Sequence, residues 1–263
     1  MTVRVQRRTL LGGALGALGL TAVAAGCGSD DTAPAAEEPR PLTSEEAELL
    51  ALVRFQLYSA SPVRVAMAWP GSPEISYAIT LDLREHLAYG TFETREDGET
   101  DSGVAAWDLA TVATAPGADG DPPPELAAWT QRAMSTQYPH DIFLALALNL
   151  GSDRPENPAL LRQSTARYLR SDEVDGTRVS VLEGPQQASA TASPGGEPAD
   201  SGRTRYWIDK DGALLRFEAY LGQAEGEFAR IDVVREGAGP ATAAGDDALR
   251  ARATEVLKSR TGG

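Results

Sequence analysis

"VRVAMAWPGSPEISYAITLD" occupies residues 63–82, and its two halves carry the same pattern. Val63, Val65, Met67 and Trp69 alternate with Arg64, Ala66 and Ala68. After Pro-Gly-Ser-Pro, Ile75, Tyr77, Ile79 and Leu81 alternate with Ser76, Ala78, Thr80 and Asp82. A period of two on both sides of a turn predicts two half-buried antiparallel strands. One face of such a pair is apolar and has to be covered.

Outward from this pair the same signals recur. Residues 86–95 and 104–109 read as further strands, with Asp97-Gly98 marking a turn between them. Upstream, Thr43 with Glu46 three places on is a capping-box pattern. Leu49, Leu50, Val53, Phe55 and Leu57 then predict an amphipathic helix ending near Ser59. Downstream, Pro122-Pro123-Pro124 is expected to open a helix carrying Leu126, Trp129, Ala133 and Met134. His140-Asp141 leads into the helical run IFLALALNL, with Gly151 expected in the C′ position. Asn157-Pro158 reads as the start of a short helix. Strands resume at 166–171 and 178–182 across Asp175-Gly176, then at 205–209 and 213–221 across Asp211-Gly212, and finally at 228–234.

About nine antiparallel strands thus flank a helical insert of about forty residues, an α+β pattern in which helices cover one face of a curved antiparallel sheet. Residues 185–202 (PQQASATASPGGEPADSG) hold nothing that packs and read as a flexible loop. The tail at 237–263 is rich in Ala and Gly but carries a helical stripe, Leu249, Ala253, Val256 and Leu257, which leaves docking open.

The N-terminus reads differently. Arg4, Arg7 and Arg8 precede an apolar run from Thr9 to Ala25, and Ala24-Ala25-Gly26 stands directly before Cys27, the single cysteine. This is the layout of a bacterial export signal at residues 1–26. The run is too short and too diluted with Gly and Ala for a membrane span, which needs ~20 strongly apolar residues. Residues 27–41 then form a tether with three prolines and no large apolar side chain.

Composition narrows the function classes. The net charge is −14, and removing residues 1–26 takes away arginines and no acid. Such a balance argues against nucleic acid and against electrostatic binding to anionic lipid. Lysine is confined to Lys210 and Lys258 while arginine and alanine abound, a bias of high-GC actinobacterial coding. With one cysteine no disulfide within the chain is expected. The sequence lacks Gly-x-Ser-x-Gly, Ser-x-x-Lys, His-Glu-x-x-His and a phosphate-cradling loop, so no enzyme chemistry is expected. His86 and His140 are the only histidines, and they read as a turn residue and a helix-start residue. Asp209-Lys210-Asp211-Gly212 lacks the further oxygen ligands of a calcium loop and reads as a hairpin turn. No metal and no cofactor are expected.

Two sets of residues carry a family resemblance. Cys27 after Ala24-Ala25-Gly26 resembles a bacterial lipoprotein signal, and Arg7-Arg8-Thr9-Leu10-Leu11 resembles a twin-arginine export motif; paired arginines also fit an ordinary n-region. Tyr206-Trp207-Ile208-Asp209, followed by Gly212, Leu214 and Arg216, resembles a hairpin of LolA/LppX-like envelope lipoproteins. Asp175-Gly176-Thr177-x-Val179 resembles the strand start that precedes it there.

This resemblance implies several things. Cys27 would be lipidated and anchor the protein at the extracytoplasmic face of the cell membrane. The fold would be an open half-barrel whose concave face meets helices across an apolar cavity. Relatives hold lipid acyl chains there or keep the fold as a regulatory sensor, so a lipid-like ligand or a membrane-protein partner is implied. The loop at 185–202 and the helix-prone tail depart from the family's pattern. Trp69, Tyr77, Ile79, Leu81, Phe143, Leu146, Ile208 and Phe217 are the best candidates for a cavity wall, since each belongs to the apolar stripe of its element or to the nearly all-apolar helix. As large apolar residues they equally suit a solid core.

Overall fold

Thr43 and Glu46 do what their spacing predicts. In the computed structural model, which describes residues 38–117, 122–186, 204–222, 226–235 and 243–259, Thr43 caps helix α1 (Ser44–Ser59). The Thr43 hydroxyl accepts from the Glu46 N–H (3.2 Å), and the Glu46 carboxylate accepts from the Thr43 N–H (2.9 Å). Arg40 adds a bidentate pair to the same carboxylate. Burial alone would raise the Glu46 carboxyl, but these hydrogen bonds hold it below the usual value. Ala47, Leu50, Ala51, Val53 and Leu57 face inward; Leu49 is only partly buried.

The opening stretch forms β2 (Val63–Trp69) and β3 (Glu74–Asp82), paired so that Val65 faces Ile79 and Met67 faces Tyr77. The chain continues through β4 (Leu87–Glu96), β5 (Glu99–Trp107), β6 (Thr111–Pro116) and β7 (Thr130–Ala133) as consecutive antiparallel neighbours. Two helices follow, α2 (Pro139–Leu148) and α3 (Pro158–Gln163), the second capped by Asn157. A second run comprises β8 (Arg167–Val174), β9 (Thr177–Glu183), β10 (Thr204–Asp209), β11 (Leu214–Ala219) and β12 (Ala229–Val233). A short β1 (Arg40–Pro41) pairs with β8, and β12 pairs with β2, which joins the two runs into one twelve-stranded sheet. The Asp-Gly turns fall where expected: Asp97 and Gly98, and Asp175 and Gly176, all take positive φ, as tight hairpin turns require.

The protein is an α+β fold in which α1, α2 and α3 pack on one face of a curved, open antiparallel sheet. Three sequence expectations are corrected. The helix after Pro122 is only a 3-10 turn (Leu126–Ala128), and Trp129 leaves it in extended conformation to start β7. The Trp129 indole donates to the Pro124 carbonyl and its ring packs on the opposite face of the sheet, so tertiary packing overrides the local helical spacing. The fourth strand runs at 99–107 and not 104–109; its polar half is solvated, and Asp108 ends it by accepting from the N–H groups of Ala110 and Thr111. Gly151 is not the C′ residue, because α2 ends at a C-cap Asn149. Gly151 instead lets the chain pass close to Leu83 and Tyr58, where a Cβ would be crowded.

The number of strands also exceeds expectation, and the tail docks. Helix α4 (Ala243–Lys258) buries Leu249, Ala253, Val256 and Leu257 against Leu87, Tyr89, Val104, Ala106, Ala113, Ala115 and Trp129. Its Arg250 pairs with Asp82 (2.6 Å), and Gln131 of β7 donates to the Val256 carbonyl (3.0 Å). Helices therefore cover both faces of the sheet, not the concave one alone. A third, smaller cluster of Val174, Val179, Val181, Trp207 and Leu215 lies apart from these two. Cys27, Arg7, Arg8 and most of the 185–202 loop lie outside the described residues.

Candidate functional site

The candidate wall residues come from β2, β3, α2, β10 and β11, and the fold gathers them into one core beneath α1–α3. Trp69 and Tyr77 are each 9% exposed, and Ile79, Leu81, Phe143, Ile208 and Phe217 are more deeply buried; Leu146 is the one left half-buried, at the margin. Phe143 packs against Trp69, with ring centroids 5.9 Å apart. Ile208 and Phe217 lie further along the sheet, where Phe217 meets Tyr206 edge-on. Ala88, Ala105 and Ala147 in the same core are fully or almost fully buried. Side chains this inaccessible leave no solvent-sized space beside them, so their part of the interior is filled by protein.

Space appears at the rim. A cavity of about 340 Å³ is lined by Trp69, Pro70, Gly71 and Ser72 of the β2–β3 turn, by Pro139 at the start of α2, and by Gly222 and Glu227 between β11 and β12. Trp69 is common to this cavity and to the buried core. Another cavity, of about 430 Å³, lies between α4 and the sheet and is lined by Glu85, Leu87, Asp108, Arg250, Thr254, Leu257 and Lys258. Its charged lining makes it a poor place for an apolar guest.

Behind the rim sits a polar cluster that the sequence did not advertise. The Tyr77 hydroxyl and His140 Nε2 share a 2.8 Å hydrogen bond, and the His140 ring stacks on Tyr77 and meets Trp69 edge-on. Next to it, Arg132 of β7 donates twice to the buried Asp141 carboxylate, at 2.6 Å each, and the Ser135 N–H donates to the same group. Trp107 donates its indole N–H to the Leu144 carbonyl, tying β5 to α2. His140 and Asp141 had been read only as a helix start, and Arg132 and Trp107 were not singled out as site residues. The one signal in the sequence was a His-Asp pair placed before an otherwise apolar helix.

Burial sets the protonation states. It pushes His140 down to about 4 against the opposing pull of Asp141, so the imidazole is neutral at ordinary pH. It pushes the Tyr77 phenol up, so the hydroxyl keeps its proton. Burial would also raise Asp141, but the Arg132 and Ser135 hydrogen bonds outweigh it and keep the carboxyl ionised below its usual range. Among the described residues His140 hydrogen-bonds only to Tyr77, and no serine or threonine hydroxyl engages its ring. A neutral imidazole bonded to a neutral phenol positions a helix; it does not activate a nucleophile. Among the described residues no group of three or more His, Cys, Asp or Glu side chains is placed to hold a metal ion, and no helix is long and apolar enough to cross a membrane.

No protein-family model matches the sequence, and no curated protein matches it. Among solved structures the chain is similar to the lipoprotein LppX of Mycobacterium tuberculosis, at 13% identity and a TM-score of 0.38, over 74% of this chain and 97% of that one.

Proposed function

We propose that the protein is a lipid-anchored lipoprotein at the extracytoplasmic face of the cell membrane. There it binds a hydrophobic, lipid-like ligand between the concave face of its sheet and α2, without catalysing a reaction. The observation that carries this reading is the rim cavity of about 340 Å³, whose Trp69 wall continues into the aromatic core beneath α2. Its size falls at the lower end for small-molecule pockets. Anchoring is supported by Cys27 behind Ala24-Ala25-Gly26 and by the polar tether that follows. The wall roles of Trp69, Tyr77, Ile79, Leu81, Phe143, Leu146, Ile208 and Phe217 belong to this proposal.

Anchoring and binding are tested separately. Cys27→Ala is expected to move the protein from the membrane fraction to the medium or to leave uncleaved precursor, since two or more acyl chains anchor firmly where one does so only marginally. Unchanged fractionation with an unmodified N-terminal peptide would remove the anchor from the proposal. For binding, the chain extracted from membranes in mild detergent should carry a lipid-sized mass excess in native mass spectrometry, with the same lipid recovered by organic extraction. Absence of both would overturn the carrier reading.

The filled interior favours a second reading. A solid core makes the same fold a rigid interaction module that senses or regulates a membrane-protein partner, through the exposed edge of β7 or the 185–202 loop. Under this reading the extracted chain carries no lipid, and a partner is recovered by crosslinking in intact membranes.

A further inference from the structure

The described chain begins at Glu38 and joins the sheet through β1, where Arg40 pairs with Tyr168 near the start of β8. Each further pair of neighbours in the sheet is antiparallel. The same end of the sheet therefore holds the starts of β8, β10, β12, β3, β5 and β7 and the finishes of β9, β11, β2, β4 and β6. The rim cavity lies there too, where Trp69 finishes β2 and Pro139 starts α2. Three of the four large apolar side chains that stand exposed among the described residues lie towards this end. Leu126 is in the 3-10 turn that leads to the start of β7, and Tyr138 is the N-cap of α2, next to Pro139. Leu160 is on α3, two residues before Arg162, which donates to Ser44 in the first turn of α1 (2.6 Å). The fourth, Leu109, follows the finish of β5 at the opposite end.

We infer that this end of the sheet is the surface the protein turns to the lipid bilayer, with Leu126, Tyr138 and Leu160 touching the membrane interface and the rim cavity on the membrane side. The inference rests on the anchoring half of the reading above and not on ligand binding. Chain length favours this end. Ten residues, 28–37, separate Cys27 from Glu38. That length reaches about 33–36 Å fully extended and about 16–19 Å as a random coil. The longest strand, β4, has ten residues and rises about 34 Å. With the opposite end on the bilayer, the tether would run almost fully extended along the whole sheet, at a cost in chain entropy. With this end down, it stays relaxed. The side chains suit the place, since a tyrosine with an apolar ring and a polar tip fits a boundary between hydrocarbon and water. The exposed acids Glu96, Asp97 and Glu99 at the β4–β5 turn share this end and oppose close approach to anionic lipid. Contact therefore depends on the apolar side chains and not on charge.

The test uses the full chain, extracted from membranes and reconstituted into phosphatidylcholine vesicles that carry a nitroxide-labelled lipid. Cys27 is the single cysteine, so once its thiol is acylated an introduced cysteine is the one site for a thiol-reactive fluorophore. Four variants, Leu126→Cys, Tyr138→Cys, Leu160→Cys and Leu109→Cys, each replace an exposed side chain and are checked for unchanged thermal melting. The first three labels are expected to be quenched severalfold more strongly than the label at position 109 and to emit at shorter wavelength. Flotation of the vesicles reads anchoring independently. If the protein floats but the four labels are quenched equally or not at all, or the label at 109 is quenched most, the inference is overturned and the anchor stands. Failure of the protein to float with the vesicles overturns the anchoring reading and the inference with it.

Discussion

Trp107→Ala should cost about 3–5 kcal/mol of folding stability, the range for deleting a large buried aromatic. Trp107 is fully buried in β5 at the point where the sheet meets α2. Its ring packs edge-on against Tyr77 at 5.8 Å, with Ala88 opposite on β4 and Val112 opposite on β6. The small residue beside it cannot swell into the space left behind. The truncation also removes the indole hydrogen bond to the Leu144 carbonyl, which keeps its place in the α2 ladder, so that loss adds about 0.5–1.5 kcal/mol. Trp107→Phe restores much of the volume but not the hydrogen bond, and should lose less. Urea midpoints of the three proteins, compared at equal m-value, measure this ordering. A cost for Trp107→Ala below about 1 kcal/mol would show that the interior beneath α2 is not packed as described.

The second large effect is a pH dependence with a definite sign. His140 is held down to about 4 in the folded chain against 6.5 for the free side chain. Between those values the unfolded chain takes up a proton that the folded chain refuses. Stability is therefore full above about pH 6.5 and falls as pH drops toward 4, by about 3 kcal/mol at 1.36 kcal/mol per unit. Asp141 works in a lower window. Its folded carboxyl lies below 3.8, so the stability that it supplies through Arg132 is present above that value and is lost as pH falls beneath it. His140→Phe should flatten the upper window and leave the lower one. The readout is the slope of stability against pH, which a uniform loss of packing would not alter. A wild-type slope that is already flat between pH 6.5 and 4 would contradict the burial of the imidazole.

Legibility in the sequence tracked how local the cause was. The β2–β3 pair, the Thr43–Glu46 cap, the Asn157 cap and the Asp-Gly turns each depend on a few neighbouring residues, and the structure places them as expected. β6 and β7 escaped notice because TVATAP and TQRA carry no large apolar alternation; their pairing is decided by β5 on one side and by α4 on the other face. The stripe of α4 was visible, but whether it docks depends on a sheet face built from four other segments. In the site, the wall residues were found from their stripes, since any core would use them. What distinguishes the rim was hidden. Tyr77, Arg132, His140 and Asp141 meet only through folding.

The seam between β12 and β2 has a kinetic consequence. β2 to β7 form one meander and β8 to β12 another, each joined through neighbours close in sequence. Within the ladder, only Val65 with Val233, Met67 with Ile231 and their flanking pairs hold one meander to the other. Loop closure over so long a separation is slow, whereas hairpins form early. During synthesis, which proceeds from the N-terminus, β2 to β7 can assemble while β2 still presents an unpaired edge with Val65, Met67 and Trp69 on its apolar face. That edge persists until residue 233 is available, and open edges of this kind invite pairing with other chains. β12 is thus the latch that ends the aggregation-prone interval, and truncation before residue 229 would leave the chain permanently in it.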